Sequence, residues 1–370
     1  MPSLFDPIQL GAVAAPNRVL MAPLTRGRAT EAHVPTPIMG DYYAQRATAG
    51  LLISEATGIS REGLGWAYTP GLWTDEQVEG WKPVIEQVKR AGGRIFAQLW
   101  HMGRLVHPDF LGGAAPLSAS ATTAPGAVRT YESLKESETA KRPYGEARAA
   151  TLDDIARVLD DYERAARNAR AAGFDGVQLH AANGYLIDQF MRDGSNHRDD
   201  DYGGSPENRT RLLREAVERL IGAVGADRVA VRFSPNGDTQ GVIDSNPEAV
   251  FVPAAQWLND QGIAFLELRE VGPDGTFGQT DQPKLSPAIR RVFTRPLILN
   301  QDYRAHNAAP EVESGHADGI AFGRPFISNP DLVERLKTGA DLAPDVMATW
   351  YSRGAEGYTD YPTLAEVEAA

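Results

Sequence analysis

The chain has 370 residues, no cysteine, 42 % apolar residues and a formal net charge of −12 from 37 basic and 49 acidic side chains. Zero cysteine excludes a disulfide framework, a thiolate nucleophile, cysteine-ligated zinc and iron–sulfur clusters, and an acidic chain without a basic block is a poor partner for nucleic acid. The start MPSLFDPIQL lacks the basic and long apolar regions of a secretory leader, and nowhere do roughly 18 apolar residues run together as a membrane span requires, so a cytoplasmic protein that binds no membrane is expected.

Short apolar runs rich in strand-forming residues recur at Arg18–Met21, Leu51–Glu55, Arg94–Leu99, Gly176–His180, Arg228–Phe233, Ala264–Leu268, Pro296–Asn300 and Gly319–Phe322. Between most of them lie stretches of helical period, such as Glu76–Lys89, Leu152–Ala171, Glu207–Ile221 and Glu248–Leu258. Several helices exit through a glycine straight into a strand, as in RAGGRIFAQL and RAAGFDGVQLH, where glycine fits the left-handed position past a helix end. Near-continuous apolar strands suit a parallel sheet covered on both faces. Eight such units predict one α/β domain over 1–370, a (β/α)8 TIM barrel. The rival, an open doubly wound sheet, usually carries a GxGxxG turn after its first strand, where this chain has APLTRGR. Phe5–Arg18 is expected to form a hairpin plugging the barrel bottom. The Gly-, Pro- and Ala-rich segment of about 103–150, which has no clear period, is expected to form a cap over the mouth after the third strand.

In such barrels the active site sits at the C-terminal strand ends. Those ends offer Pro23 and Thr25, Glu55 and Ala56, Gln98 and His101, His180, Asn183 and Tyr185, Arg232, Glu270, Asn300 and Gln301, and Gly323 and Arg324. They show no metal-ligand cluster, no serine elbow and no lysine for a Schiff base, so no metal is expected and the difficult chemistry falls to a bound cofactor. Gly323-Arg324 after the last strand suits a phosphate, with a plain strand-to-helix turn as the alternative. His180 and Asn183 could converge on one acceptor oxygen, and Tyr185 could donate a proton, unless His180 is a satisfied buried histidine and Tyr185 a packing aromatic. Arg232 needs an anionic partner: a ligand, or a structural ion pair with Glu270 or Glu55.

Long segments across nearly the whole chain, including NRVLMAPLTRGRA, IFAQLWHMGR, FDGVQLHAANGYLIDQFMRDGSNHRDDDYGGSPENRTR, VAVRFSP and GIAFGRPFISNPDLVERL, resemble the old yellow enzymes, FMN-dependent ene-reductases. The resemblance implies tightly but non-covalently bound FMN, with NADPH or NADH as reductant. It places Pro23, Leu24, Thr25, Ala56, Gln98 and Arg232 around the flavin ring, and Gly323 and Arg324 at the phosphate, with Asn300 and Gln301 beside the cofactor. His180 and Asn183 would bind the substrate oxygen, Tyr185 would protonate Cα, and Tyr68, Trp100 and Tyr351 would line the pocket. Arg129 and Arg142 in the cap resemble positions that grip the nicotinamide cofactor.

The implied substrate is a small electrophilic alkene, an unsaturated carbonyl, maleimide or nitro compound, with side activity on nitrate esters or nitroaromatics; the expected assembly is a monomer or small homo-oligomer. Two departures stand out. Leu299-Asn300-Gln301-Asp302 replaces a small glycine-containing loop common in the family, so Asp302 is expected to point away from the phosphate, and Asn183 stands where some relatives have histidine. A flavin-free barrel lyase or isomerase using His180 and Tyr185, and a non-catalytic FMN-binding protein, are the competing readings.

Overall fold

Eight parallel strands close into a barrel in the computed structural model, which describes residues 1–137, 139–276 and 278–369. The strands are β1 (Val19–Met21), β2 (Leu51–Ile53), β3 (Ile95–Trp100), β4 (Gly176–Ala181), β5 (Val229–Phe233), β6 (Phe265–Arg269), β7 (Leu297–Asn300) and β8 (Gly319–Phe322). Each pairs in parallel with the next, β8 returns to β1, and β3 pairs with β4, so no edge is left. The helices that follow the strands are α1 (Pro37–Gln45), α2 (Asp75–Arg90), α3 (Leu152–Ala172), α4 (Arg211–Val224), α5 (Pro247–Gln261), α6 (Ser286–Val292), α7 (Ala305–Glu313) and α8 (Leu332–Thr338). The doubly wound alternative is thereby set aside.

Local sequence explains these elements. Thr74 caps α2 by accepting from the Gln77 backbone N–H at 3.2 Å, and Val78, Trp81, Val84, Ile85 and Val88 give that helix one buried face. Thr151 and Asp154 cap α3 in the same way, and the helix ends at Gly173 with φ 101°. The helix expected over Glu207–Ile221 is instead two pieces, Pro206–Arg209 and α4, because Thr210 opens to ψ 0° and its hydroxyl donates to the Glu207 carbonyl at 2.9 Å.

The hairpin Ile8–Leu10 and Val13–Ala15 plugs the barrel bottom. Its turn needs glycine: Gly11 has φ 58°, and a Cβ there would lie 2.0 Å from the Asp227 carbonyl oxygen. Leu10, Val13 and Ala15 join an inner cluster with Leu51, Phe96, Phe265 and Ile298. Inward-facing residues return every second position, so the same strands next present Gln98, Glu267 and Asn300 further up. The barrel interior therefore changes from apolar to polar within one strand step.

The 103–150 segment is laced by short pairings, Leu117–Ser118 with Arg148–Ala149 and Ala127–Val128 with Arg142–Pro143, and by a helix over Tyr131–Glu136. Among the described residues no helix is long and apolar enough to cross a membrane. The rings of Phe96 and Phe265 meet at 5.7 Å between the plug and the polar layer. Phe265→Ala is expected to lower the free energy of unfolding by about 3–5 kcal/mol in urea titration; a loss below about 1 kcal/mol would show that this layer does not hold the barrel together.

Candidate active site

Directly above the apolar layer lies a chain of buried polar groups. Gln98 Nε2 donates to Gln178 Oε1 at 2.8 Å, and Gln178 Nε2 donates to Glu267 Oε2 at 2.7 Å. Arg232 Nε lies 3.1 Å from Glu267 Oε1, close but not aligned for a hydrogen bond, while its Nη2 donates to Asn300 Oδ1 at 2.7 Å. Asn300 Nδ2 in turn donates to the Ala321 carbonyl at 2.7 Å. The counter-ion of Arg232 is thus Glu267, from inside the barrel. Glu270 and Glu55 are both used elsewhere: Glu270 accepts from the Leu285 and Ser286 backbone at the start of α6, and Glu55 from the Arg26 and Gly27 backbone.

The turn after β4 places three side chains together. Asn183 adopts φ 58°, a left-handed conformation that asparagine tolerates better than most side chains, and Gly184 follows at φ 77°. A Cβ on Gly184 would come within 2.7 Å of the Thr239 carbonyl. The Asn183 N–H donates to Ser234 Oγ at 2.7 Å and its carbonyl accepts from Gln240 Nε2 at 2.6 Å. Tyr185 then heads a short helix, Leu186–Met191, with its ring edge-on to His180 at 4.8 Å and to Trp100 at 4.9 Å.

His180 Nδ1 is buried without a hydrogen-bond partner among the described residues. Burial, reinforced by Arg232 and Arg269, holds the imidazole well below the usual histidine pKa, so it is neutral near pH 7. Burial also pushes the Tyr185 phenol up to about 12 despite its bond to Gln240. The pair can therefore offer a neutral N–H and a proton, and neither adds charge to the site.

These groups open into a cavity of about 430 Å³ at the C-terminal mouth, within the roughly 300–1,000 Å³ of small-molecule sites. Its wall includes Pro23, Leu24, Thr25 and Ala56 from the first two strand ends, and Gln98, His180, Asn183, Tyr185 and Arg232 from the next three. Asn300, Gln301, Gly323, Arg324 and Tyr351 complete the part singled out from sequence. Tyr68 and Trp100 are not on this wall. Trp100 is buried behind Tyr185, and Tyr68 packs edge-on against Tyr131 at 5.2 Å under the Arg353 guanidinium. His101, a strand-end residue, is likewise buried off the wall. Of the two cap arginines, Arg129 sits 5.7 Å from the centre of the Tyr351 ring, whereas Arg142 is tied to Glu136.

Sequence reading missed Trp66, Gln240, Arg269, Arg304 and Trp350 on the wall. Arg269 follows Phe265 and Glu267 at two-residue spacing, a signal hidden by ending the strand one residue early. Trp350 arrives on a C-terminal strap pinned from far away in sequence: its carbonyl accepts from Arg26 Nε at 3.0 Å and Arg28 Nη1 at 2.8 Å.

Asp302 does not point away from the basic end of the cavity. Its carboxylate accepts from Arg324 Nη2 at 3.3 Å and from the Thr276 N–H at 3.0 Å. Gln301 and Asp302 have φ of 99° and 57°, a backbone that a glycine-containing loop would adopt without strain.

Among the described residues no three His, Cys, Asp or Glu side chains converge as a metal site. The donor set fits FMN instead. Gln98, with Nε2 committed to Gln178, keeps Oε1 as an acceptor, and Arg232 on the same wall brings donors, the two kinds of group that a flavin pyrimidine edge requires. At one end of the cavity Arg324, following Gly323, is a cation of the kind a terminal phosphate requires.

Barrel, polar floor and carboxylate-poor mouth together define a flavin-dependent oxidoreductase. Residues 3–343 match the NADH:flavin oxidoreductase / NADH oxidase family. The structure superposes on an old yellow enzyme homologue from Zymomonas mobilis with TM-score 0.95 at 61 % identity, covering 98 % of this chain and 100 % of the other. It superposes on morphinone reductase in complex with tetrahydroNAD with TM-score 0.91 at 43 % identity, covering 98 % of each chain. A putative 12-oxophytodienoate reductase 11 from Oryza sativa subsp. japonica is 41 % identical over 368 residues, 98 % of this chain and 97 % of that protein. The chain belongs to the old yellow enzyme family, and it is an FMN-dependent ene-reductase that draws its electrons from a nicotinamide cofactor.

The neutral His180 can be checked directly. In protein labelled with 15N-histidine, its ring nitrogens are expected to keep the neutral chemical-shift pattern at pH 6, and an imidazolium pattern there would contradict the burial argument. Because the unfolded chain protonates this group at the ordinary value near 6.5 and the folded chain resists, its contribution to stability is lost as pH falls below about 6.5.

Proposed function

We propose that this enzyme reduces the activated C=C bond of enones, enals, maleimides or nitroalkenes, with NADPH or NADH as reductant. The observation that carries this reading is the convergence of an unpartnered neutral His180, the Asn183 amide and a high-pKa Tyr185 over the Gln98–Gln178–Glu267–Arg232 floor. When bound, FMN would supply the hydride that the substrate Cβ accepts.

The remaining work belongs to the chain. Pro23, Leu24, Thr25 and Ala56 would line the flavin ring, with the Thr25 hydroxyl on the C4 carbonyl. Gln98 would hold the pyrimidine edge, Arg232 would favour negative charge at N1, Asn300 and Gln301 would flank the cofactor, and Gly323 with Arg324 would hold its phosphate. His180 and Asn183 would donate to the substrate carbonyl or nitro oxygen, bonds that strengthen as charge develops there. Tyr185 would deliver a proton to Cα, giving trans addition, since a phenol near 12 is a competent acid toward an enolate-like carbon.

Tyr351 on the C-terminal strap would shape the outer pocket. Reductant and alkene share one cavity, so the nicotinamide leaves before the alkene enters and the kinetics are ping-pong. The same shared position extends the side activity to nitrate esters and nitroaromatics.

Tyr185→Phe separates the two halves of this scheme. The variant is expected to keep FMN and its reduction by NADPH, while anaerobic stopped-flow reoxidation by 2-cyclohexen-1-one slows by roughly 10²-fold or more. An unchanged reoxidation rate would remove Tyr185 as the proton donor.

A further inference from the structure

Arg269 ends β6, and its side chain enters the cavity wall beside Asn183 with only 4 % of its surface exposed. Its Nη1 donates to Asn183 Oδ1 at 3.0 Å and to Thr239 Oγ1 at 3.3 Å, and its Nε donates to Gln301 Oε1 at 3.1 Å. The Asn183 backbone is already pinned by Ser234 and Gln240. What remains free is rotation of the amide, whose two ends are almost equal in shape and opposite in function.

A guanidinium has only donors, so it accepts one of those two orientations. Burial and the nearby Arg232 lower the Arg269 pKa to about 10, which still leaves it cationic at neutral pH. Asn183 Oδ1 is therefore committed to Arg269. The amide Nδ2 is the end left for a ligand, on a residue that lies on the cavity wall next to His180.

We propose that Arg269 is a positioning residue: by holding Asn183 Oδ1, it fixes the amide with its N–H donors toward the substrate oxygen, so that the site selects ligands presenting an acceptor. This rests on the reading that Asn183 binds that oxygen. With Arg269 removed, the amide is free to turn its oxygen toward the ligand, where it opposes the substrate carbonyl.

A double-mutant cycle on the FMN-loaded, oxidised enzyme tests this. The probe is the neutral ketone 2-cyclohexen-1-one, titrated at equilibrium and read as a perturbation of the flavin absorption bands, with FMN content and thermal midpoint as controls. Arg269→Met is expected to weaken binding about tenfold in the otherwise native enzyme and less than twofold when Asn183→Ala is already present. Arg269→Lys, which keeps a donor at that place, is expected to stay within about threefold of the native enzyme.

Should Arg269→Met not load FMN, Arg269→Gln carries the same cycle with a smaller effect of a few-fold. Equal losses in both backgrounds, or no loss in either, overturn the positioning role. If Asn183→Ala alone binds the ketone as tightly as the native enzyme, the oxygen-binding reading of Asn183 fails and the role of Arg269 fails with it. If Asn183→Ala weakens binding and Arg269→Met does not, only the positioning role is overturned.

Discussion

A carboxylate sealed inside the barrel, Glu267, is the constraint on which the site depends. It is fully buried, and a buried charge is costly unless paired and hydrogen-bonded. Gln178 and Arg232 meet that demand at 2.7 and 3.1 Å, and each is then oriented for a second task. Gln178 takes the amide of Gln98, and Arg232 reaches Asn300. A single acidic residue, two positions above the apolar Phe265, thus organises four other side chains into a rigid polar floor beneath the cavity.

That floor also settles the electrostatics of the mouth. Arg232 is matched by Glu267, while Glu55 and Glu270 are spent on backbone N–H groups away from the cavity. Among the described residues the carboxylate on the wall is Asp302, at the Arg324 end. The carboxylate at the Asn183–Tyr185 turn, Asp188, is taken up by the Gly184 N–H at 2.9 Å and Arg192 Nε at 2.8 Å, so burial dominates and keeps the imidazole neutral and the phenol protonated. The proton source is then a weak acid suited to a strongly basic carbon, and oxygen recognition falls to neutral donors.

Much of this was legible in the sequence because it is local. Eight apolar runs separated by helical periods specify a barrel, and the alternation of inward residues carries Gln98, His180, Arg232 and Asn300 to its mouth. Arg269 is less legible because the apolar run of β6 stops at Leu268, one residue short of the strand end, and Glu270 beyond it has the opposite parity. Glu267 as the partner of Arg232 is hidden for a related reason: the counter-ion lies one layer below the strand ends that carry the other site residues. Tyr68 was drawn in by resemblance alone, while its φ of 60° and its packing on Tyr131 take the ring elsewhere. The strap bearing Trp350 has no periodic signal at all, since it is held by Arg26 and Arg28 more than 320 residues away.

The most direct measurement is the visible absorption spectrum of the purified protein, followed anaerobically while NADPH and then 2-cyclohexen-1-one are added. Flavin bands that bleach with the nucleotide and return with the enone are the expected result, and they report both half-reactions in one sample. A protein that remains colourless after incubation with FMN, or whose bound flavin neither reductant nor enone changes, would contradict the assignment of this cavity to flavin-dependent alkene reduction.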